Sequence, residues 1–262
     1  MLHLLQQRTK LSGQIGKMKR RRGAGIYVPE REHALLTRLL RLNRGKFPAT
    51  ALVAVYREIL SASRAAQGQD EHPIGLLASS APVVMPAAGS LFGKSDRFVP
   101  AKSWRQISTH LKKGEFSLGL VTAADLLAAL RQKAIRSDFS RQLAVANAVP
   151  LTATAKVGTD AILTIMPPIS GTARKANRFV ILIECKSTRN TVKSLVRDMP
   201  QLSLHDEAST TRPSRSLSLA CLHATRPLDV SRTSRKLLKA AEDAGVPMLI
   251  LGSYLASGDY AG

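Results

Sequence analysis

Three successive runs of apolar residues, spaced three and four apart and each closed by a helix breaker, fill the first 67 positions of the chain. Leu4, Leu5, Leu11, Ile15 and Met18 form the first run. It closes on the basic cluster Lys19-Arg20-Arg21-Arg22, where cations complement a helix dipole, and breaks at Gly23 and Gly25. Pro29 opens the second run at a position that tolerates a missing N–H; its stripe is Ala34, Leu35, Leu39 and Leu42, ended by Asn43-Arg44-Gly45. After Pro48 the third run carries Leu52, Val55, Tyr56, Ile59 and Leu60 toward Gln67. A 3.6-residue period cannot serve a strand, so the segment is expected to be three packed helices.

Several polar residues sit where these stripes call for carbon. Arg8 lies four after Leu4 and three before Leu11, and Lys19 follows eleven residues later, nearly in line with it. Ser63 and Gln67 continue the Ile59 row at i+4 spacing. Unpaired cations on a packed face cost several kcal/mol, and a bound anion removes that cost. Taken one at a time, the same positions also fit a snorkelling arginine, a solvated basic turn and a serine bonded back to its own helix.

Charge and cysteine content narrow the partners. The net charge is +21, and residues 1–67 hold 14 Lys/Arg against 3 Asp/Glu, so +11 of it lies in the first quarter of the chain. Only 4% of residues are aromatic, which leaves few stacking platforms and weighs against a nucleic-acid partner. Cys185 and Cys221 have neither CxxC spacing nor a neighbouring histidine cluster, so no disulfide framework or structural zinc site is expected. No apolar run reaches the ~18 residues of a membrane span, the first helix is no signal-peptide core, and a cytoplasmic location is expected.

The stretches LLQQRTKLSGQIGKMK, IYVPEREHALLTRLL and YREILSASRAAQ resemble the all-helical chorismate mutase domain, particularly the form that begins the bifunctional chorismate mutase–prephenate dehydratases. The resemblance implies that Arg8 and Arg31 bind the substrate carboxylates, with Ser63 a further carboxylate contact. It implies that Lys19 and Gln67 bind the ether oxygen, that Glu32 holds the ring hydroxyl, and that chorismate is the substrate. It further implies an intertwined helical homodimer, and a reaction needing no metal or other cofactor. The family's first helix begins about 20 residues earlier, roughly 30 Å of helix, with an arginine that reaches into the partner's site; this chain is expected to lack it. Val28 stands where some relatives carry an aspartate.

Beyond a 68–73 linker, GQDEHP, strand and helix patterns alternate, so the fold class expected is multidomain α plus α/β. IGLLASSAPVVM reads as a strand with turn signals, LKKGEFSLGLVTAADLLAAL as helix end, strand and helix, and AILTIMPP and RFVILIEC as strands. Residues 74–178 resemble a shortened, degenerate prephenate dehydratase region, with Asn177-Arg178-Phe179 where that family has Thr-Arg-Phe. The missing threonine and the absent glycine-rich substrate motif imply no dehydratase activity. In residues 179–262, SLSLACLHA reads as a strand, TSRKLLKAAEDAG as a helix and VPMLILGSYLASGDY as a strand with a tail. MLILGSYLAS resembles the close of the ACT regulatory domain, which implies an α+β unit able to take an amino-acid effector.

Two alternatives stay open. The helical unit can serve as a mutase-like binding or regulatory protein without turnover. Asp160 with Glu184-Cys185-Lys186 also fits the loose D…ExK pattern of nucleases, in which two carboxylates hold Mg²⁺ and a lysine assists water.

Overall fold

In a computed structural model, residues 1–21, 26–68, 72–150, 161–168, 175–209 and 216–254 are described. The chain divides into two compact units, Met1–Leu120 and Val121–Ala256.

The first unit opens with α1 (Leu2–Arg21), α2 (Pro29–Leu42) and α3 (Ala49–Ala65), the three helices expected from the apolar period. Pro29 sits in the first turn of α2 and Pro48 at the N-cap of α3, so the breakers set the starts. β1 (Ile74–Leu77), α4 (Ala81–Phe92), β2 (Phe98–Ala101), α5 (Trp104–Lys112) and β3 (Leu118–Thr122) follow. The strands are parallel in the order β2-β1-β3, with Ile74 in register with both Phe98 and Leu118. Parallel strands joined by helices bury both faces, and all four β1 residues are buried.

Two sequence expectations need correction here. IGLLASSAPVVM is a strand only over Ile74–Leu77, and its second half is the start of α4. An apolar run carries no period, and Pro82, read as a turn signal, occupies the first turn of that helix. The α1 stripe is not inward as a whole: Leu5 and Ile15 are half-buried, whereas Leu4, Leu11 and Met18 are exposed. The buried positions of α1 are Ser12 and Gly16, because this helix approaches α3 through its small residues.

The second unit contains α6 (Ala123–Ala129), α7 (Lys133–Arg141), β4 (Ala144–Pro150), β5 (Ala161–Met166) and β6 (Lys175–Cys185). It continues through α8 (Thr188–Leu195), β7 (Leu202–Ser209), β8 (Ser216–Asp229), α9 (Val230–Asp243) and β9 (Met248–Tyr254). Its sheet runs β5-β4-β9-β6-β8-β7. β4 pairs parallel with β9, and the other neighbouring pairs are antiparallel. From Lys175 onward the path is βαββαβ with strand order β9-β6-β8-β7, the ferredoxin-like arrangement. Phe179, Ile181 and Ile183 of β6 alternate onto one face with Ala220 and Leu222 of β8, and Val192 of α8 and Leu237 of α9 close that core.

Candidate functional site

The first cluster of polar groups lies between α1 and α3. A Cβ added to Gly16 would stand 2.6 Å from the Gln67 carbonyl oxygen, so only glycine lets the helices meet there. That approach brings Arg8 onto Ser63: its Nε donates to Ser63 Oγ at 2.9 Å, and the serine hydroxyl donates to the Ile59 carbonyl at 2.7 Å. Gln67 donates from Nε2 to the Ser63 carbonyl at 3.0 Å, while its Oε1 is buried and receives no hydrogen bond among the described residues. Arg20 donates to the Gln67 carbonyl at 2.6 Å and ties the end of α3 to α1.

The second cluster lies where the end of α1 meets the start of α2. Lys19 Nζ donates to the Ile26 carbonyl at 2.7 Å. Burial lowers its pKa from the ordinary lysine value, the Arg31 cation lowers it further, and Glu32 offsets part of the effect. Arg31 itself is exposed. Glu32 is raised, chiefly by burial, against the opposing charge and hydrogen bond of Arg64. The Arg64 Nη1 donates to Glu32 Oε1 at 2.5 Å.

Arg64 had no part in the sequence reading, yet it organises this cluster. Its side chain is 4% exposed; Nη2 donates to Asp96 Oδ2 at 2.7 Å and to the Phe92 carbonyl at 2.5 Å. Ser61 Oγ donates to the same Asp96 oxygen at 2.7 Å. Tyr27 and Phe92 rings lie 5.7 and 6.0 Å from the guanidinium carbon, within cation–π range. Burial alone would lower the Arg64 pKa, but the hydrogen bonds and charges of Asp96 and Glu32 hold it above the ordinary arginine value. Gly93 makes the contact possible: at φ +98°, its missing Cβ would fall 2.6 Å from the Ser61 Cβ. A signal was present, since Arg64 lies four after the buried Leu60, the same inward-face criterion that picked out Ser63.

The structure therefore brings Arg8, Ser63 and Gln67 together, and places Lys19 within the electrostatic reach of Arg31 and Glu32. The arginine of the first cluster and the lysine of the second are groups that suit an anionic ligand.

Glu184 and Lys186 of the nuclease alternative lie in the second unit. Asp160 falls outside the described residues. Glu184 is half-buried on β6, with its carboxylate 4.0 Å from the Arg136 guanidinium, and Lys186 is exposed just beyond the strand. No group of three or more potential metal ligands occurs among the described residues. Of Asn177-Arg178-Phe179, the phenylalanine is core, and the Arg178 Nη1 is buried without a hydrogen-bond partner among the described residues.

Comparison with known proteins gives these clusters a context. The family described as chorismate mutase type II matches residues 1–68. A bifunctional chorismate mutase/prephenate dehydratase from Aquifex aeolicus (strain VF5) is 34% identical over 124 residues, covering 46% of this chain and 34% of that protein. The chain thus spans about a third of the length of that curated relative. Two solved structures resemble it more distantly. One, GqqA, described as a novel type of quorum quenching acylase, has TM-score 0.48 at 12% identity, covering 70% of this chain and 95% of its own. The other, prephenate dehydratase from Streptococcus mutans, has TM-score 0.45 at 9% identity, covering 70% and 97%. Residues 1–68 are a chorismate mutase type II domain, and the chain is homologous to a bifunctional chorismate mutase/prephenate dehydratase.

Proposed function

We propose that this chain is a chorismate mutase that rearranges chorismate to prephenate, supplying phenylalanine and tyrosine synthesis. The observation that carries the reading is the convergence of Arg8, Ser63 and Gln67 on one helix interface inside the segment that matches the family. Arg8 and Arg31 grip the two carboxylates, for which a guanidinium fork is suited, and Ser63 adds a contact to one of them. Glu32 accepts the ring hydroxyl, with Arg64 holding one of its carboxylate oxygens. Lys19 and Gln67 stabilise the charge that develops on the ether oxygen as the C–O bond breaks. The rearrangement is intramolecular, so the protein contributes by holding a compact conformer and by preorganised charge, with no nucleophile or cofactor required.

The remaining assignments rest on that reading. The helical unit spans residues 1–67, a linker 68–73, a degenerate dehydratase-like domain 74–178 and an ACT-like domain 179–262. Support for the last is the βαββαβ path that begins at Lys175, and an amino acid is its expected effector. Asn177, where the dehydratase pattern has threonine, argues against dehydration of prephenate by this chain. A homodimer through α1 is supported by the exposed line Leu4, Leu11 and Met18. No helix among the described residues is long and apolar enough to cross a membrane, and the cytoplasm is the location proposed.

The test is chorismate consumption, with prephenate identified by mass spectrometry, in the wild type and in Lys19→Ala. The variant is expected to lose at least a hundredfold in kcat with a much smaller change in KM, because the Lys19 contact strengthens only as charge develops. Unchanged kcat in the variant would end the assignment of Lys19. Tight chorismate binding by the wild type without turnover would favour the second reading, a mutase-like binding protein. The engagement of Arg8 by Ser63 and of Glu32 by Arg64 is what keeps that reading in view.

A further inference from the structure

Far from the mutase segment in sequence, one end of the βαββαβ half carries a concave surface of unusual charge. An open cavity of about 660 Å³ is lined by residues of four segments. Lys175 begins β6, Arg226 and Asp229 end β8, Arg232, Thr233 and Lys236 lie in the first turns of α9, and Met199 belongs to the connection between α8 and β7. The volume is that of a small-molecule site.

Its charge is unbalanced. Among the described lining residues four cations, Lys175, Arg226, Arg232 and Lys236, face one carboxylate, Asp229. That carboxylate caps α9, accepting the Arg232 backbone N–H at 2.7 Å. No ion pair involves any of the four cations among the described residues. They approach from a strand start, a strand end and a helix face, so they surround the space and do not merely follow one helix. The wall between them is not polar throughout: Met199, Pro227 and Leu228 supply carbon, and the buried Thr233 lies one residue beyond Arg232.

We propose that this cavity binds a small organic anion carrying at least two separated negative charges on an apolar body. The separated cations select for charge number and the apolar wall for a carbon frame. A bare inorganic ion would leave the apolar wall uncovered. A single-stranded nucleic acid held through its bases would need aromatic platforms to stack on, and none of the described lining residues is aromatic. The site is independent of the mutase reading, because all its residues lie beyond position 174.

Amide NMR shifts of the full chain, titrated with benzene-1,3-dicarboxylate, test this directly. Saturable shifts are expected at Arg232, Thr233 and Lys236, with binding weakened at least tenfold in the Arg226→Ala/Lys236→Ala variant. The charge-preserving Arg226→Lys/Lys236→Arg variant should retain most of it and controls for folding. Acetate, pyrophosphate and a 20-nucleotide single strand serve as comparisons. Absence of saturable shifts at these amides would overturn the proposal, as would an equal response to acetate. Binding of the oligonucleotide in preference to the dicarboxylate would replace it with a nucleic-acid surface.

Discussion

Arg64 and Asp96 form a buried ion pair, Nη2 to Oδ2 2.7 Å, that fastens α3 to the segment between α4 and β2. The Asp96 side chain is fully enclosed, and Ser61 and the Phe92 carbonyl take up further polar valences of the pair. Such a pair adds little over a well-packed apolar substitute, but removing Asp96 leaves the buried Arg64 cation with the partly exposed Glu32 as its remaining ionic partner among the described residues. Asp96→Ala should therefore destabilise the chain by about 3–5 kcal/mol in urea denaturation. Arg64→Met combined with Asp96→Leu should recover much of that loss, and a double variant as unstable as the single one would contradict this account.

The close approach of α1 to α3 gives a second expectation. In Gly16→Ala the new methyl would stand 2.6 Å from the Gln67 carbonyl oxygen and 2.7 Å from its Cα, both backbone atoms that cannot rotate away. Helix propensity favours alanine by about 1 kcal/mol, so a surface glycine here would gain stability from the change. The contact reverses the sign: a loss of about 1–3 kcal/mol is expected from overpacking. Because Arg8 reaches Ser63 across this interface, the chorismate binding proposed for it should weaken in parallel, measurable by calorimetry. A stabilised Gly16→Ala protein would show that the helices separate freely.

Much of this was legible because it is local. Breakers and period located α1, α2 and α3, and a polar residue in an apolar row identified Arg8 and Ser63, which do meet. Orientation was less legible: α1 turns Ser12 and Gly16 inward and leaves Leu4 and Leu11 outside, since packing against α3 is decided by close approach and not by hydrophobicity alone. Asp96 was invisible for a different reason. Its partner is 32 residues away, and an isolated aspartate in a loop has no periodic signature. The strand-like reading of residues near Val83 failed because a short apolar run suits a buried strand and a buried helix equally.

Under the proposed mutase function, Lys19 and Glu32 should bound the pH range of catalysis from opposite sides. Burial and Arg31 lower the Lys19 pKa from 10.5, so its charge, and turnover with it, is lost at a lower pH than for a free lysine. Burial raises the Glu32 pKa from 4.5 against the pull of Arg64, so its ionised form appears at a higher pH than usual. A bell-shaped profile of kcat/KM is expected, narrower than the interval between those two ordinary values. Stability should respond to Glu32 as well. The folded carboxyl keeps its proton above the unfolded pKa, so stability falls as pH rises from 4.5 through the raised value. Glu32→Gln should abolish that slope in denaturation curves measured across the same range; persistence of the slope would assign it to another group.

The exposed side of α1 supplies the last expectation. Leu4, Leu11 and Met18 are 67%, 58% and 53% exposed and recur every seven residues. A seven-residue apolar repeat drifts only about 20° per repeat around a helix, so the three side chains form a nearly straight seam. Such a seam fits a second helix as knobs into holes, and a second copy of the chain offers an identical one. Leu4→Glu/Leu11→Glu introduces charges into that seam while leaving the half-buried Leu5 and Ile15 toward the rest of the unit. The wild type should sediment as a dimer and the variant as a monomer of 28.3 kDa with its thermal unfolding largely preserved. A wild type that sediments as a monomer, or a variant that remains a dimer, would remove α1 from the interface and leave its exposed apolar seam unexplained.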